Sequence, residues 1–527
     1  MLLPQSLNAY SRKLPGFFWL VTICVIILVA LPYLWAAKFW QGEYVFGGFL
    51  FNPIDSNSYL AKMHLGWEGS WQFSLPYTAK PGESTYLFLY YLFLGQVARA
   101  SHLSLVLTFH LARVGGALLM LLSMWRFFSA SLQESRLVKL AFALAAFGSG
   151  LGWLASFFGV FTADLWVAEA YPFLSAYANP HFPLALAILM WVLTPLGEDS
   201  WPRGKLIRSL LTGLAGVALG IVLPFGVLVA GIVLAGLGIW QVVEGVQILK
   251  SPFLSRLAWF MAGASLFLIY DFWIISSDPS LRDWNAQNLT PSPSPIIFVI
   301  SFFPALLFGI PGILSLLQAK NERHRVLLVW CLTGITLLYL PIGLQRRLMM
   351  GLMIPLAGLS ALGLQYLAHG TFRRQVGLAG LLFLLAIPTN LVVFLAGIHG
   401  VRIHDSLLYL TRAESRGLEW LAEHTPNNAL VLAAPETGLF IPAYSGQRVI
   451  YGHPFETMQA EEKKGLVVRL FNGSAGPQDL TYVDNIDFIF YGPREAQLGE
   501  PDFLLDFNIV FQEEDVAIYQ KIEKPET

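Results

Sequence analysis

Charge is what this chain of 527 residues has least of. Only 13% of its residues are Asp, Glu, Lys or Arg, against about 25% in a typical soluble domain. That scarcity excludes an ordinary water-covered globule of this length. With 55% hydrophobic residues and a mean hydropathy of +0.58, the composition is that of a polytopic membrane protein. Cysteine is almost absent: Cys24 and Cys331 both lie in apolar stretches, which excludes a disulfide framework and a CxxC metal site. The net charge of −1 excludes the basic footprint of a nucleic-acid partner. There is no internal repeat and no low-complexity tract, and the Gly-rich segment 435–457 has no GxGxxG or P-loop spacing. No small-residue cleavage site follows the first apolar run, so that run reads as a retained span rather than a signal peptide.

What is present is a series of long apolar segments. A spanning helix needs roughly 20 mainly apolar residues, and about eleven stretches qualify: 17–37, 104–127, 139–159, 181–197, 206–222, 224–243, 257–276, 295–318, 326–343, 348–368 and 376–397. Alternate loops carry Arg12/Lys13, Arg136/Lys139, Arg203/Lys205/Arg208, Lys250/Arg256, Lys320/Arg323/Arg325 and Arg373/Arg374. Basic residues in short loops mark the cytoplasmic side. All six groups fall on that side only if the aromatic-rich segment 85–99 lies in the interface without crossing. The expected topology then has a cytoplasmic N-terminus. Four parts lie outside: a long first loop (38–103), a second loop (160–180), a Pro/Ser/Asn-rich loop (277–294) and everything after about residue 399.

The last part changes character, with more charge and shorter apolar runs. ALVLAA (429–434), RVIYG (448–452), DFIFYG (487–492), NIVFQ (508–512) and VAIYQKI (516–522) read as strands. ESRGLEWLAEH (414–424) and ETMQAEEKKGLVVRLF (456–471) read as amphipathic helices, and 435–457 reads as a strand-end loop cluster. The expected fold class is therefore an α-helical polytopic membrane protein with interfacial helices in its first outer loop. Residues 1–398 form the membrane domain and 399–527 an extracytoplasmic α/β domain.

Ionisable groups at a membrane boundary are functional candidates by default. Asp55, in FNPIDSNSYLAKMHLGWEGSW, lies just beyond the first span among Asn52, Asn57, Tyr59 and His64. A carboxylate there can serve as a general base. Glu43, Glu68 and Glu83 read as loop-solvating acids. The second loop offers Asp164 and Glu169, with no residue pattern to choose between them. His64 and His181 are lone histidines, read either as satisfied polar residues or as ligands or proton relays. Arg346 and Arg347 stand at the outer end of a span, where the positive-inside pattern disfavours them. Two guanidiniums there suit a phosphate or diphosphate, or else snorkel to head groups. Asp271, Asp278, Arg282, Asp283 and Trp284 either line a substrate cleft or form an ordinary loop.

A first-loop Asp after the first span, a following interfacial helix, a second-loop acid and a C-terminal outer domain together resemble the GT-C superfamily of membrane glycosyltransferases. The likeness is to its bacterial branch of lipid A aminoarabinose transferase, protein O-mannosyltransferases and RgtA/B/C/D-like proteins. The resemblance implies that Asp55 is the catalytic base or helps to place it, that Asp164 or Glu169 assists it, and that Arg346 and Arg347 hold the phosphate of a polyprenyl-phosphate sugar donor. Lys80-Pro81 resembles a shortened KPP element of that branch, which would place Lys80 at the substrate together with His64, His181 and Trp284. The resemblance also admits a divalent cation (Mg or Mn) on Asp55, Asp164 and Glu169. The chain has neither a DxD in the second loop nor a WWD tripeptide in the outer domain. The implied protein is a glycosyltransferase in the cytoplasmic membrane of a prokaryote, surrounded by membrane lipids. It would act on the outer face by inverting displacement on a protein, lipid or glycan acceptor. A transporter or flippase of a lipid-linked or anionic solute is the alternative.

Overall fold

The computed structural model describes residues 14–40, 42–195, 205–319 and 321–522. Arg12, Lys13, Arg203 and Lys320 of the basic loops lie outside these residues. Seven described helices are long and apolar enough to cross a membrane: Gly16–Phe39, Leu105–Leu132, Ser135–Ser156, Pro224–Val243, Pro252–Ser277, Pro295–Ala319 and Phe372–Arg402. Shorter apolar helices at His181–Leu193, Leu206–Val222 and Met353–Ala368, with Arg325–Leu338, occupy the remaining expected spans. Two spans are interrupted. The third breaks at Gly148–Leu151, where a Cβ on Gly150 would stand 2.0 Å from the Ser301 carbonyl oxygen. The last is divided at Ile387 by Pro388, the first residue of its second half.

The first helix, α1 (Gly16–Phe39), shows how these helices divide their faces. Val21, Val25, Val29 and Tyr33 recur every four residues and are buried, while Leu20, Ile27, Leu31 and Leu34 are exposed. A four-residue repeat puts side chains on one helical stripe, so one face packs on protein and the other meets hydrocarbon.

The first loop folds tightly. After strand β1 (Tyr44–Phe46) come α2 (Pro53–Trp67) and α3 (Leu89–Ser101). At about 1.5 Å per residue, the 13 residues of α3 reach about 20 Å, well short of the roughly 30 Å of a bilayer core. Instead α3 lies against α2, backbone to backbone. A Cβ on Gly66 would meet the Leu92 carbonyl oxygen at 2.1 Å, and one on Gly95 the Met63 carbonyl oxygen at 2.0 Å. The helix α4 (Leu105–Leu132) carries the buried Arg113, which donates to the carbonyl oxygens of Val29 (3.0 Å) and Ala176 (2.7 Å) and lies over the Tyr33 ring. One guanidinium thus ties α1, α4 and the second loop together.

The C-terminal part contains a five-stranded sheet of order β4-β3-β5-β7-β6. Its strands are β3 (Leu430–Leu432), β4 (Arg448–Val449), β5 (Phe488–Tyr491), β6 (Phe507–Glu513) and β7 (Val516–Lys521). β3 is parallel to β4 and β5, whereas β7 is antiparallel to β5 and β6. All five expected strands are present. β2 (Tyr409–Thr411) does not join that sheet. It pairs antiparallel with β1, so main-chain bonds tie the sheet domain to the first loop. The expectation of loops throughout 435–457 is corrected: Pro435–Tyr444 is a helix with Pro435 in its first turn, where the missing N–H costs nothing. The loop 277–294 likewise contains a helix, Pro279–Gln287, capped by the Asp278 carboxylate on the Leu281 N–H (2.9 Å).

Candidate active site

Asp55 sits in the first turn of α2. Asn52 precedes the helix in a left-handed conformation (φ 47°), which Asn tolerates, and Pro53 opens the first turn. The Asn52 amide donates to Asp55 Oδ2 at 2.5 Å. A carboxylate at a helix N-terminus also gains from the aligned peptide dipoles. The opposite oxygen, Oδ1, faces His453 Nε2 of the sheet domain at 3.5 Å, and the Asp55 side chain keeps 40% of its surface exposed.

Asp55 opens into a cleft of about 500 Å³, counting its open mouth; Glu169, Arg346, Arg347, His181 and Tyr59 also line it. Glu169 is held by a short turn whose carbonyl oxygen accepts the Gly351 N–H (2.8 Å). Gly351 has φ +66°, a conformation that favours glycine. This bond brings the second loop beside the Arg pair. Arg346 is fixed from the main chain by its N–H to the Thr290 carbonyl oxygen (3.0 Å), and its guanidinium lies over the Trp166 ring at 4.2 Å. Its Nε is buried without a hydrogen-bond partner. Arg347 lies over Phe225 at 5.5 Å. His181 Nδ1 is 2.5 Å from the Tyr91 hydroxyl, and Tyr91 stacks on Tyr59 with centroids 4.5 Å apart.

The charges are arranged as two carboxylates against two guanidiniums. Burial in the cleft pushes the Asp55 carboxyl up, but His453, the Asn52 amide and the Arg347 charge together bring it below its ordinary 3.8. Burial pushes Glu169 above its ordinary 4.5, with Arg346 and Arg347 only partly offsetting it. Asp55 is therefore the ionised acid of the pair at neutral pH, and Glu169 the one readier to hold a proton.

The other residues expected at the site are placed elsewhere. Asp164 is not brought to the cleft. Its carboxylate accepts the N–H groups of Gly150 (3.0 Å) and Gly152 (2.9 Å) and the Thr162 hydroxyl (2.6 Å). It folds the broken third span, and burial raises its pKa. His64 pairs with Glu68 at 3.4 Å, one turn along α2. Lys80 is an exposed loop residue. Trp284 packs edge-on against Phe88 in a small apolar cluster. Asp271, Asp278, Arg282 and Asp283 are not among the cleft residues either. Of the three acids that the resemblance assigns to a divalent cation, Asp55 and Glu169 line the cleft and Asp164 does not. The described residues hold no group of three or more His, Cys, Asp or Glu side chains close enough to share an ion, and the two cleft acids are already balanced by two arginines.

Sequence reasoning missed His453, Glu456 and Lys62. Glu456 Oε1 accepts from Lys62 Nζ at 2.6 Å and from the Ser58 hydroxyl at 2.7 Å. The only local signal was the polar segment GHPFET (452–457), and nothing in it names α2 as its partner.

No protein-family model matches the chain, and no curated protein sequence matches it. Solved structures do. The Archaeoglobus fulgidus oligosaccharyltransferase in the apo form is 14% identical, with a TM-score of 0.56, over 92% of this chain and 71% of that one. The same enzyme in complex with Zn and sulfate is 13% identical, with a TM-score of 0.55, over 90% and 67%. ArnT from Cupriavidus metallidurans bound to undecaprenyl phosphate is 11% identical, with a TM-score of 0.54, over 96% of this chain and 99% of that one. At such identities the likeness is one of fold: a polytopic helical membrane architecture with a sheet-containing C-terminal domain.

Proposed function

We propose, from the premise that this chain has the GT-C fold, that it is an integral-membrane glycosyltransferase taking its sugar from a polyprenyl-phosphate donor. The observation that carries the reading is the convergence of Asp55, Glu169, Arg346 and Arg347 on one cleft, from three segments spread over almost 300 residues. ArnT, one of the fold relatives, was solved with undecaprenyl phosphate, and the archaeal oligosaccharyltransferase with dolichol phosphate. A lipid phosphate is the ligand that two half-buried guanidiniums at the end of the spans suit best, because a guanidinium fork binds phosphate bidentately.

In this reading the donor tail stays among the helices and its sugar enters the cleft. Asp55 accepts the proton of an acceptor hydroxyl. The acceptor oxygen bonds to the anomeric carbon while the bond from that carbon to the phosphate oxygen breaks, with inversion. The lipid phosphate departs, and Arg346 and Arg347 balance the charge that develops on its oxygen. The Arg347 guanidinium also helps to hold Asp55 acidic. A phosphate bound there screens it, so Asp55 becomes a stronger base once the donor is in place. Glu169 offsets part of the Arg346 charge between turnovers.

Purified protein in lipid nanodiscs, supplied with undecaprenyl-phosphate sugars and a membrane extract as acceptor, should release lipid phosphate in step with glycosylated product. Tight binding of every donor, with movement across the bilayer but no release, would support the transporter reading instead.

A further inference from the structure

The sheet domain meets Asp55 through the segment 452–457, which follows β4. His453 is buried, with 2% of its side chain exposed. Its Nδ1 accepts two backbone N–H groups, those of Phe455 and Glu456, both at 3.1 Å. A ring nitrogen that accepts two donors carries no proton, so the hydrogen of the neutral ring is on Nε2. Nε2 has no hydrogen-bond partner and lies 3.5 Å from Asp55 Oδ1. That distance is longer than a formed N–H···O bond. Hydrogen bonds of this kind shorten when substrate fills the site.

The segment is gripped from the membrane part. Lys62 and Ser58 hold Glu456. Gln287 Nε2 donates to the Thr457 carbonyl oxygen at 2.9 Å, and Asn288 Nδ2 to that of Phe455 at 3.0 Å. Asp55, Ser58 and Lys62 recur at three- and four-residue steps along α2, so they share one face. The charged groups around His453 are Asp55 and Lys62 on α2, Glu456 on its own segment and Arg347 beyond Asp55.

We infer that the sheet domain completes the active centre: His453 is a positioning residue whose Nε2–H fixes one oxygen of Asp55 while Asn52 fixes the other, and the Lys62–Glu456 pair seats it. The inference rests on the reading of Asp55 as the base. Each carboxylate oxygen then keeps a lone pair free, and the acceptor hydroxyl meets a carboxylate of defined orientation and charge.

Two substitutions separate positioning from folding. In His453→Asn the side-chain oxygen replaces Nδ1 as the acceptor for the loop but offers nothing to Asp55. In His453→Gln the amide N–H reaches toward Asp55 but the loop acceptor is lost. His453→Asn should keep the donor KM within about threefold and lower kcat by ~10-fold or more, and the acid limb of its pH profile should move up, because the carboxylate has lost a donor. His453→Gln should recover most of the rate. Wild-type turnover in His453→Asn overturns the inference, as do equal losses in both variants with an unmoved pH profile.

A second readout needs no activity. In protein with ¹⁵N-labelled histidine, the His453 signal, identified by its loss in either variant, should report the Nε2–H tautomer and should shift in Asp55→Asn. The Nδ1–H tautomer, or no response to Asp55→Asn, overturns the inference. Full transfer by Asp55→Asn defeats the base reading itself. A dead Asp55→Asn beside a wild-type His453→Asn defeats only the role of His453.

Discussion

Asp55 owes its place to its sequence neighbours and its character to distant ones. Asn52 and Pro53 start the helix and aim the carboxylate, but His453 and Arg347, hundreds of residues away, decide its charge. In the proposed reaction the Arg pair is the other half of the chemistry. Replacing both Arg346 and Arg347 by Ala should lower kcat by ~10²–10³-fold, the cost of losing a transition-state charge partner, with lipid-phosphate release under saturating donor as the measurement. A pH profile tests the interplay. Since Arg347 depresses Asp55 and a bound phosphate screens it, the acid limb of kcat should lie at higher pH than that of kcat/KM, which reports the free enzyme. Coincident limbs would show that donor binding leaves Asp55 unchanged. Asp55 and the Arg pair were legible in the sequence because ionisable groups are rare in so apolar a chain. The choice between Asp164 and Glu169 was not. They stand five residues apart, and only tertiary contacts show that Asp164 spends its oxygens on Gly150, Gly152 and Thr162. His453 left only the polar segment 452–457 as a signal, and nothing there pointed to a partner almost 400 residues earlier.

At the scale of elements, α2 is the joint between the two halves. Lys62 is fully buried, its Nζ lies 4.5 Å from the centre of the Phe88 ring, and its counter-ion is Glu456. Removing one partner of a buried pair strands the other charge, at ~3–5 kcal/mol, whereas replacing both by apolar residues is often nearly neutral. Glu456→Gln should therefore lower the thermal midpoint sharply, and the double variant Lys62→Met/Glu456→Met should recover most of it. Unchanged melting in Glu456→Gln would remove the pair from the account. Lys62 and its neighbours hold the Glu456 pKa below its ordinary 4.5. The carboxylate thus contributes stability above pH 4.5, and that contribution is lost as the pH falls through the lowered value. Cleavage of the sheet domain by an acid protease should rise over that range in wild type and change less in the double variant.

Over the whole molecule, composition and the spacing of apolar runs were enough for the helical architecture, because a span of about 20 apolar residues has few other uses. The five strands of the sheet were legible for a similar reason, as short β-branched and aromatic runs between turns. What escaped was long-range. The β1–β2 pairing joins residues 44–46 to 409–411. The breaks at Gly148–Leu151 and Ile387 arise where one helix approaches another too closely for a Cβ or where a Pro opens a new turn. Those same features bring the cleft together, since the first loop, the second loop, the Arg pair and the sheet domain meet only after the chain has folded. The most direct test of the central claim is the rate of sugar transfer by Asp55→Asn in nanodiscs saturated with a polyprenyl-phosphate sugar that the wild type uses. The rate should fall by ~10²–10⁴-fold, the range for a general base, with donor binding retained; transfer at the wild-type rate would overturn the assignment of Asp55 as the base.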